Sequence, residues 1–247
     1  MYDNFVYGGI DMFIINFFKK IFYGYRYDSK SYIKYLRNKG ALIGDGVNIF
    51  DPSRTIIDDT RAYMIKIGNN VKIASGVTIL THDYGWSVCK GLYGEVLGSC
   101  DEVVIGNNVF VGMKATILKG VHIADNCIIG ANSVVTHDVE TGWVVAGNPA
   151  RPLMRVDEYL LKRRKKQLFE AKKLYNCYIE RFNKEPSEDE FDEFFWLFKR
   201  RDEKFSDKQE FKMKLLDNYE SSMERYLEIQ PMFDGFNEFI KYLRDGK

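Results

Sequence analysis

Proline, histidine, tryptophan and cysteine are scarce in this chain of 247 residues, numbering five, three, three and four. Three widely spaced histidines give little material for a multi-histidine metal centre. Four cysteines without a signal-peptide pattern argue against a disulfide framework and for a reducing, cytoplasmic compartment. Charge of one sign is lacking too: 36 basic and 35 acidic residues leave a net charge of +1, which excludes general electrostatic attraction to nucleic acid. The longest apolar run, Met12 to Phe18 broken by Asn16, is far shorter than the roughly 20 residues that span a bilayer. What is present, 45% hydrophobic and 29% charged residues, describes a globular chain of one or two domains.

The chain divides into three textures. In residues 1–40, rich in aromatics, Ile10, Phe13, Ile14, Phe17, Phe18, Ile21 and Phe22 recur at spacings of three and four, which predicts one amphipathic helix. Two readings fit it: a helix packed on the main domain or a neighbouring subunit, or an interfacial helix making peripheral membrane contact, with Lys19 and Lys20 near lipid phosphates.

From 41 to 155 the period changes to six. Ile105, Val111, Ile117, Ile123, Ile129 and Val135 are strictly spaced, and four residues after each come Val109, Ala115, Val121, Cys127, Ser133 and Val139. Ile43, Ile49, Ile67, Ile73 and Ile79 keep an earlier phase, lost over a loop at 82–103. Six suits neither a helix nor a lone amphipathic strand, but it suits short strands joined by sharp corners, each hexad forming one side of a coil. Rungs stacked about 4.8 Å apart would bury every sixth aliphatic on the one below, with Gly106, Gly112 and Gly130 at crowded corners. Cys127 falls on an inward position and His122 on an outward one.

Over 156–247 glycine nearly vanishes and charged residues mix with bulky aromatics, the pattern of an α-helical region. Ser187 with Glu190 and Ser206 with Gln209 form capping boxes, and Pro231 suits a helix first turn. The basic run at Lys162 to Lys166 reads as a solvated face or as a site of attraction for anions.

The stretch from Val103 to Leu153, with "THDYGW" at 81–86 and "AGNPAR" at 146–151, resembles the hexapeptide-repeat acyltransferases, closest in texture to sugar, polysaccharide and xenobiotic O-acetyltransferases. The resemblance covers about residues 43 to 155. It implies a mainly β fold, a left-handed parallel β-helix, assembled as a homotrimer with active sites between subunits. It also implies acetyl coenzyme A as co-substrate, no metal, and a carbohydrate acceptor, plausibly a bacterial capsular or surface polysaccharide.

Attack of a hydroxyl on a thioester needs a base, and a histidine near neutrality suits that task. The resemblance gives this role to His82, at the base of the loop, with Asp83, Tyr84 and Trp86 beside it to shape an acceptor pocket; loop packing explains those three nearly as well. Coenzyme contacts carried over from the family fall on Phe110, Met113, Ala131, Thr136, His137 and Arg151. Packing alone would also account for Phe110 and Met113. His137 stands where the family usually has lysine, which moves the anion-binding task toward Arg151. Competing readings are amino-sugar N-acetylation, a noncatalytic trimeric scaffold, and a zinc enzyme of the carbonic anhydrase variety, which the histidine spacing disfavours.

Overall fold

The computed structural model of the chain describes residues 12–246. They form two compact units that divide between Tyr159 and Leu160.

The first unit opens with α1 (Met12–Tyr23), on which the predicted stripe falls apart from Ile10, which lies outside the described residues, and α2 (Ser29–Asn38). Twelve short parallel strands follow: β1 (Leu42–Ile43), β2 (Asn48–Ile49), β3 (Ile56–Ile57), β4 (Ile65–Ile67), β5 (Lys72–Ile73), β6 (Thr78–Ile79), β7 (Val103–Ile105), β8 (Phe110–Val111), β9 (Thr116–Ile117), β10 (His122–Ile123), β11 (Ile128–Ile129) and β12 (Val134–Val135). Every third strand joins the same sheet. One face stacks β1, β4, β7 and β10, a second β2, β5, β8 and β11, and a third β3, β6, β9 and β12. The chain therefore winds as a three-sided coil of parallel rungs.

Register shows why a period of six produces this shape. Ile73, Val111 and Ile129 lie one above another, as do Ile79, Ile117 and Val135, and all are buried. Val71, Val77, Val109, Ala115, Val121 and Cys127 fill the corners between them. Each inward aliphatic contributes about 1.5–3 kcal/mol through its buried area. Gly112 has a close rung above it: a Cβ there would meet the Ala131 nitrogen at 2.6 Å. Asn70, Asn108, Asn126 and Asn132 turn other corners in the left-handed region, which asparagine tolerates better than most side chains.

Both ends of the coil are covered. At the first rung Ser29 Oγ accepts the Ile49 N–H, Tyr32 Oη accepts the Ile57 N–H, and Arg37 donates to the carbonyls of Ile43 and Gly44. These bonds satisfy main-chain groups that an open sheet edge would leave unpaired. At the last rung β13 (Trp143–Gly147) continues the second sheet, and β14 (Ala150–Arg155) folds back on it antiparallel, around a cis Asn148–Pro149 bond.

Two irregularities interrupt the repeat. A turn over Asp51 to Arg54, whose Asp51 carbonyl accepts from Thr55 N and Oγ1, follows β2, so Ile57 rather than the sixth residue after Ile49 stacks on Ile79, with Thr55 buried at the corner before it. The loop after His82 also holds a helix, α3 (Trp86–Tyr93), ended by Gly94 at φ 77°.

The second unit contains most of α4 (Val156–Phe182), then α5 (Asp207–Met213), α6 (Tyr219–Glu228) and α7 (Phe236–Asp245). Both capping boxes form, at Ser187 ahead of a 3-10 turn and at Ser206 ahead of α5. Pro231 is not in a helix first turn, because α7 starts only at Phe236, after Gly235. The core is aromatic: Phe239 stacks on Phe198 at 4.7 Å and meets Phe191 edge-on at 5.2 Å. The basic run from Lys162 to Lys166 is exposed, and Arg163 makes a two-pronged bond with Glu170.

Candidate active site

The rung that ends with β6 continues through Leu80 and Thr81 into His82. Because β3 lies beside β6 in register, Asp58, one residue past Ile57, sits against this continuation and donates its N–H to the Ile79 carbonyl. Its carboxylate is 4% exposed and reaches His82, with Oδ2 2.6 Å from Nδ1. Thr81 Oγ1 donates to the same oxygen, while Thr60 donates to Oδ1 through both its hydroxyl, at 2.6 Å, and its N–H, at 3.1 Å. Burial works against ionisation of Asp58. The hydrogen bonds from Thr60, Thr81 and His82 outweigh it and hold the carboxyl well below the usual carboxylate range.

An ionised carboxylate only accepts, so the short contact requires the proton on His82 Nδ1. A neutral ring with Nδ1–H has its lone pair at Nε2, the form a general base needs. The imidazole is 36% exposed, so it is held from one side and open to solvent. Asp58 is the residue of this candidate site that sequence reasoning missed. Its one signal, an acidic pair after Ile57, does not say which carboxylate faces the histidine.

Asp83 is tied into its own loop. It accepts from Gly85 N at 2.9 Å and Ser99 Oγ at 2.5 Å, and pairs with Lys119 Nζ at 3.1 Å. The Ser99 bond is the main cause of a carboxyl pKa lowered to about 2. Asp83 thus clips the two arms of the loop together beside His82 and ties them to the rung above. Tyr84 and Trp86 pack at 4.7 Å, with Tyr84 exposed, so an apolar ring surface stands at the loop mouth.

A cleft of about 250 Å³ opens at the last rung. His137, Arg151, Asp138, Glu140 and Trp143 line it. Asp138 accepts the His122 N–H, His137 Nδ1 bonds Thr136 Oγ1 at 2.8 Å, and Arg151 donates to the Ala150 carbonyl. Among the described residues Arg151 makes no salt bridge, and no group of three His, Cys, Asp or Glu side chains could hold a metal. β6 and β12 lie two rungs apart on one face, roughly 10 Å of rise at strand spacing, which separates His82 from this cleft along the coil.

The family described as Bacterial transferase hexapeptide (six repeats) matches residues 102–137, the rungs from β7 to β12. Protein CapG of Staphylococcus aureus is 36% identical over 127 residues, which cover 51% of this chain and 73% of that protein. The chain belongs to the hexapeptide-repeat acyltransferase family. Two further relatives share less of their length with it. Galactoside O-acetyltransferase of Escherichia coli (strain K12) is 39% identical over 122 residues, 48% of this chain and 57% of that protein. A chloramphenicol acetyltransferase of Klebsiella aerogenes is 42% identical over 132 residues, 47% and 60% of the two chains.

The remaining residues that the family resemblance singles out fall in two groups. His137 and Arg151 line the cleft, with Thr136 bonded to His137 beside it. Phe110, Met113 and Ala131 lie on the outside of the coil, Phe110 on β8 and the other two at the corners that follow β8 and β11; all three are exposed. His122 is exposed near Glu102 and Cys127 is buried.

Proposed function

We propose that this chain transfers an acetyl group from acetyl coenzyme A to a sugar hydroxyl of a capsular or surface polysaccharide. The transfer takes place in a cytoplasmic homotrimer of left-handed β-helices. The observation that carries the reading is the hydrogen bond between His82 Nδ1 and the buried Asp58 carboxylate, which keeps Nε2 as the acceptor. Nε2 takes the hydroxyl proton while the sugar oxygen forms its bond to the thioester carbonyl carbon. The Asp58 carboxylate faces the imidazolium that results and stabilises it. When the carbon–sulfur bond breaks, the ring returns the proton to sulfur, leaving an acetyl ester, a free thiol and neutral His82.

The cleft residues fit a phosphate-bearing group, since Arg151 makes no salt bridge among the described residues and Asp138 accepts a main-chain N–H. Arg151 and His137 would hold that anionic end, with Thr136, Ala131, Met113 and Phe110 along the outside of the coil. The exposed faces of Phe110 and Met113 suit a neighbouring subunit. Tyr84 and Trp86 offer ring surface to a sugar, and Asp83 sets the loop that carries them. Four free cysteines support a reducing compartment. The same base would serve an amino-sugar N-acetyltransferase, and the same coil a noncatalytic scaffold.

The test is acetyl transfer onto a panel of hydroxyl and amine glycans by the wild type and His82→Ala. Wild-type turnover on hydroxyl acceptors should fall about 10²- to 10⁴-fold in the variant with coenzyme binding retained. Near-normal variant rates would remove the histidine from the base role, preference for amines would select N-acetylation, and absence of both binding and turnover in the wild type would leave the scaffold.

A further inference from the structure

α1 and the turn after it carry an exposed apolar surface in a stretch of sequence rich in cations. Phe18, Ile21, Phe22 and Tyr23 are each more than half exposed, although the first three belong to the stripe that the sequence spaces as one helical face. Between Met12 and Lys39 stand Lys19, Lys20, Arg26, Lys30, Lys34, Arg37 and Lys39 against one acid, Asp28. Asp28 is committed to capping α2 through Ser31 N at 2.7 Å. Six excess positive charges are thus concentrated in this stretch of a chain whose balance is +1, so the rest is net negative. Lys20, Lys30, Lys34 and Lys39 are exposed.

The aromatic chemistry points the same way. Tyr25 stacks on Tyr35 at 3.6 Å, and the Arg26 guanidinium lies 5.1 Å from the Tyr32 ring, its Nε buried without a hydrogen-bond partner among the described residues. Bulky apolar residues followed by tyrosine and cationic side chains make up the composition of an interfacial helix, with an apolar side at the acyl boundary and an amphipathic, cationic side among headgroups. No described helix is long and apolar enough to cross a membrane. A second copy seated on this face through a two-fold interface would bring like charges together, whereas anionic headgroups complement them.

We infer that α1 docks the protein on an anionic phospholipid surface, with Phe18, Ile21 and Phe22 at the acyl boundary and the surrounding lysines and arginines attracted by the headgroups. The inference is independent of the chemistry at His82.

Flotation of the full chain with vesicles tests it, using phosphatidylcholine alone and phosphatidylcholine with about 30% phosphatidylserine. Bound protein should be about tenfold higher on the anionic vesicles and fall several-fold between about 0.1 M and 0.5 M salt. Ile21→Asp with Phe22→Asp should lower binding about tenfold or more, and Lys20→Glu with Lys30→Glu several-fold, each with a wild-type melting curve. If the aspartates shift that curve, Ile21→Ser with Phe22→Ser should show the same loss. Equal binding to both vesicle types, or to neither, would overturn the inference. So would a smaller mass for the double aspartate variant than for wild type in light scattering without lipid, because a second copy would then cover the face.

Discussion

In the coil an inward side chain has neighbours set by counting: Ile117 sits between Ile79 below and Val135 above, the latter three hexads along the chain. None of the buried residues from Ala41 to Val145 is aromatic. In residues 160–246 the opposite holds. Phe239 of α7 packs against Phe236 one turn earlier on the same helix and against Phe191, Phe198 and Phe233 from separate turns and loops, which no single period relates. Small branched residues suit the coil because each rung offers the same narrow interior, and repeated contacts between equal shapes need no individual fitting. The helical unit has few main-chain constraints linking its elements, so large rings with specific edge-to-face geometry supply the fit.

The comparison breaks first at the core. Phe239→Ala should destabilise its unit by about 3–5 kcal/mol, since it removes a ring that four others pack against. Ile117→Ala should cost about 2–5 kcal/mol, nearer the low end if the rungs settle together. A double-mutant cycle of Phe198 and Phe239 should show coupling of about 0.5–1.5 kcal/mol. Hydrogen exchange of amides in each region reads these effects locally. Equal losses at both sites with no Phe198–Phe239 coupling would mean that ring geometry adds nothing to buried area.

The same contrast decides what the sequence made legible. Periodicity reports a fold when every contact recurs at a fixed offset, so the sheet positions from β7 to β12 were readable before any coordinates. It failed at β3, where the turn over Asp51 to Arg54 slides the strand two residues off phase, and that slide is what lays Asp58 beside Thr81 and His82. The histidine was visible because there were only three to weigh. Its carboxylate partner was hidden by an irregularity that a repeat cannot encode. The caps at Ser187 and Ser206 are local and were readable, whereas Pro231 was misplaced because a proline suits loops as well as helix starts.

Asp58 provides the next effect in size. In Asp58→Asn with the amide nitrogen turned toward His82, Thr60 can still donate to the remaining carbonyl oxygen, but Thr81 loses its acceptor and the amide presents N–H to Nδ1, which favours the wrong tautomer. Turnover should drop about 10²-fold or more with KM little changed. Stability should fall by about 1–3 kcal/mol at neutral pH. The sign with pH follows from the lowered carboxyl of the folded state: its contribution is complete above the unfolded value of about 3.9 and disappears as pH falls through the folded one. The gap between wild type and variant in denaturant melts should therefore be constant from about pH 5 to 8 and close in stronger acid. A gap that widened on acidification would contradict an ionised Asp58.

The smallest effect compares the ends of the two regions, because each is closed by a serine accepting a main-chain N–H. At the coil's first rung Ser29 Oγ takes the Ile49 N–H at 2.9 Å, and at α5 Ser206 Oγ takes the Gln209 N–H at 3.3 Å while Gln209 Oε1 accepts the Ser206 N–H. Replacing either by alanine should cost about 0.5–2 kcal/mol. The consequences should differ in reach. Ser206→Ala removes one half of a reciprocal pair at a helix of seven residues, so exchange should quicken over α5 and stop there. Ser29→Ala leaves a donor unpaired at an edge whose next bonds run up the ladder from β2 to β5 and β8, so exchange should quicken at Ile49 and fade over successive rungs. Exchange confined to Ile49 would show that the rungs are held independently, and the idea that counting sets both neighbours and stability in the coil would fail at its edge.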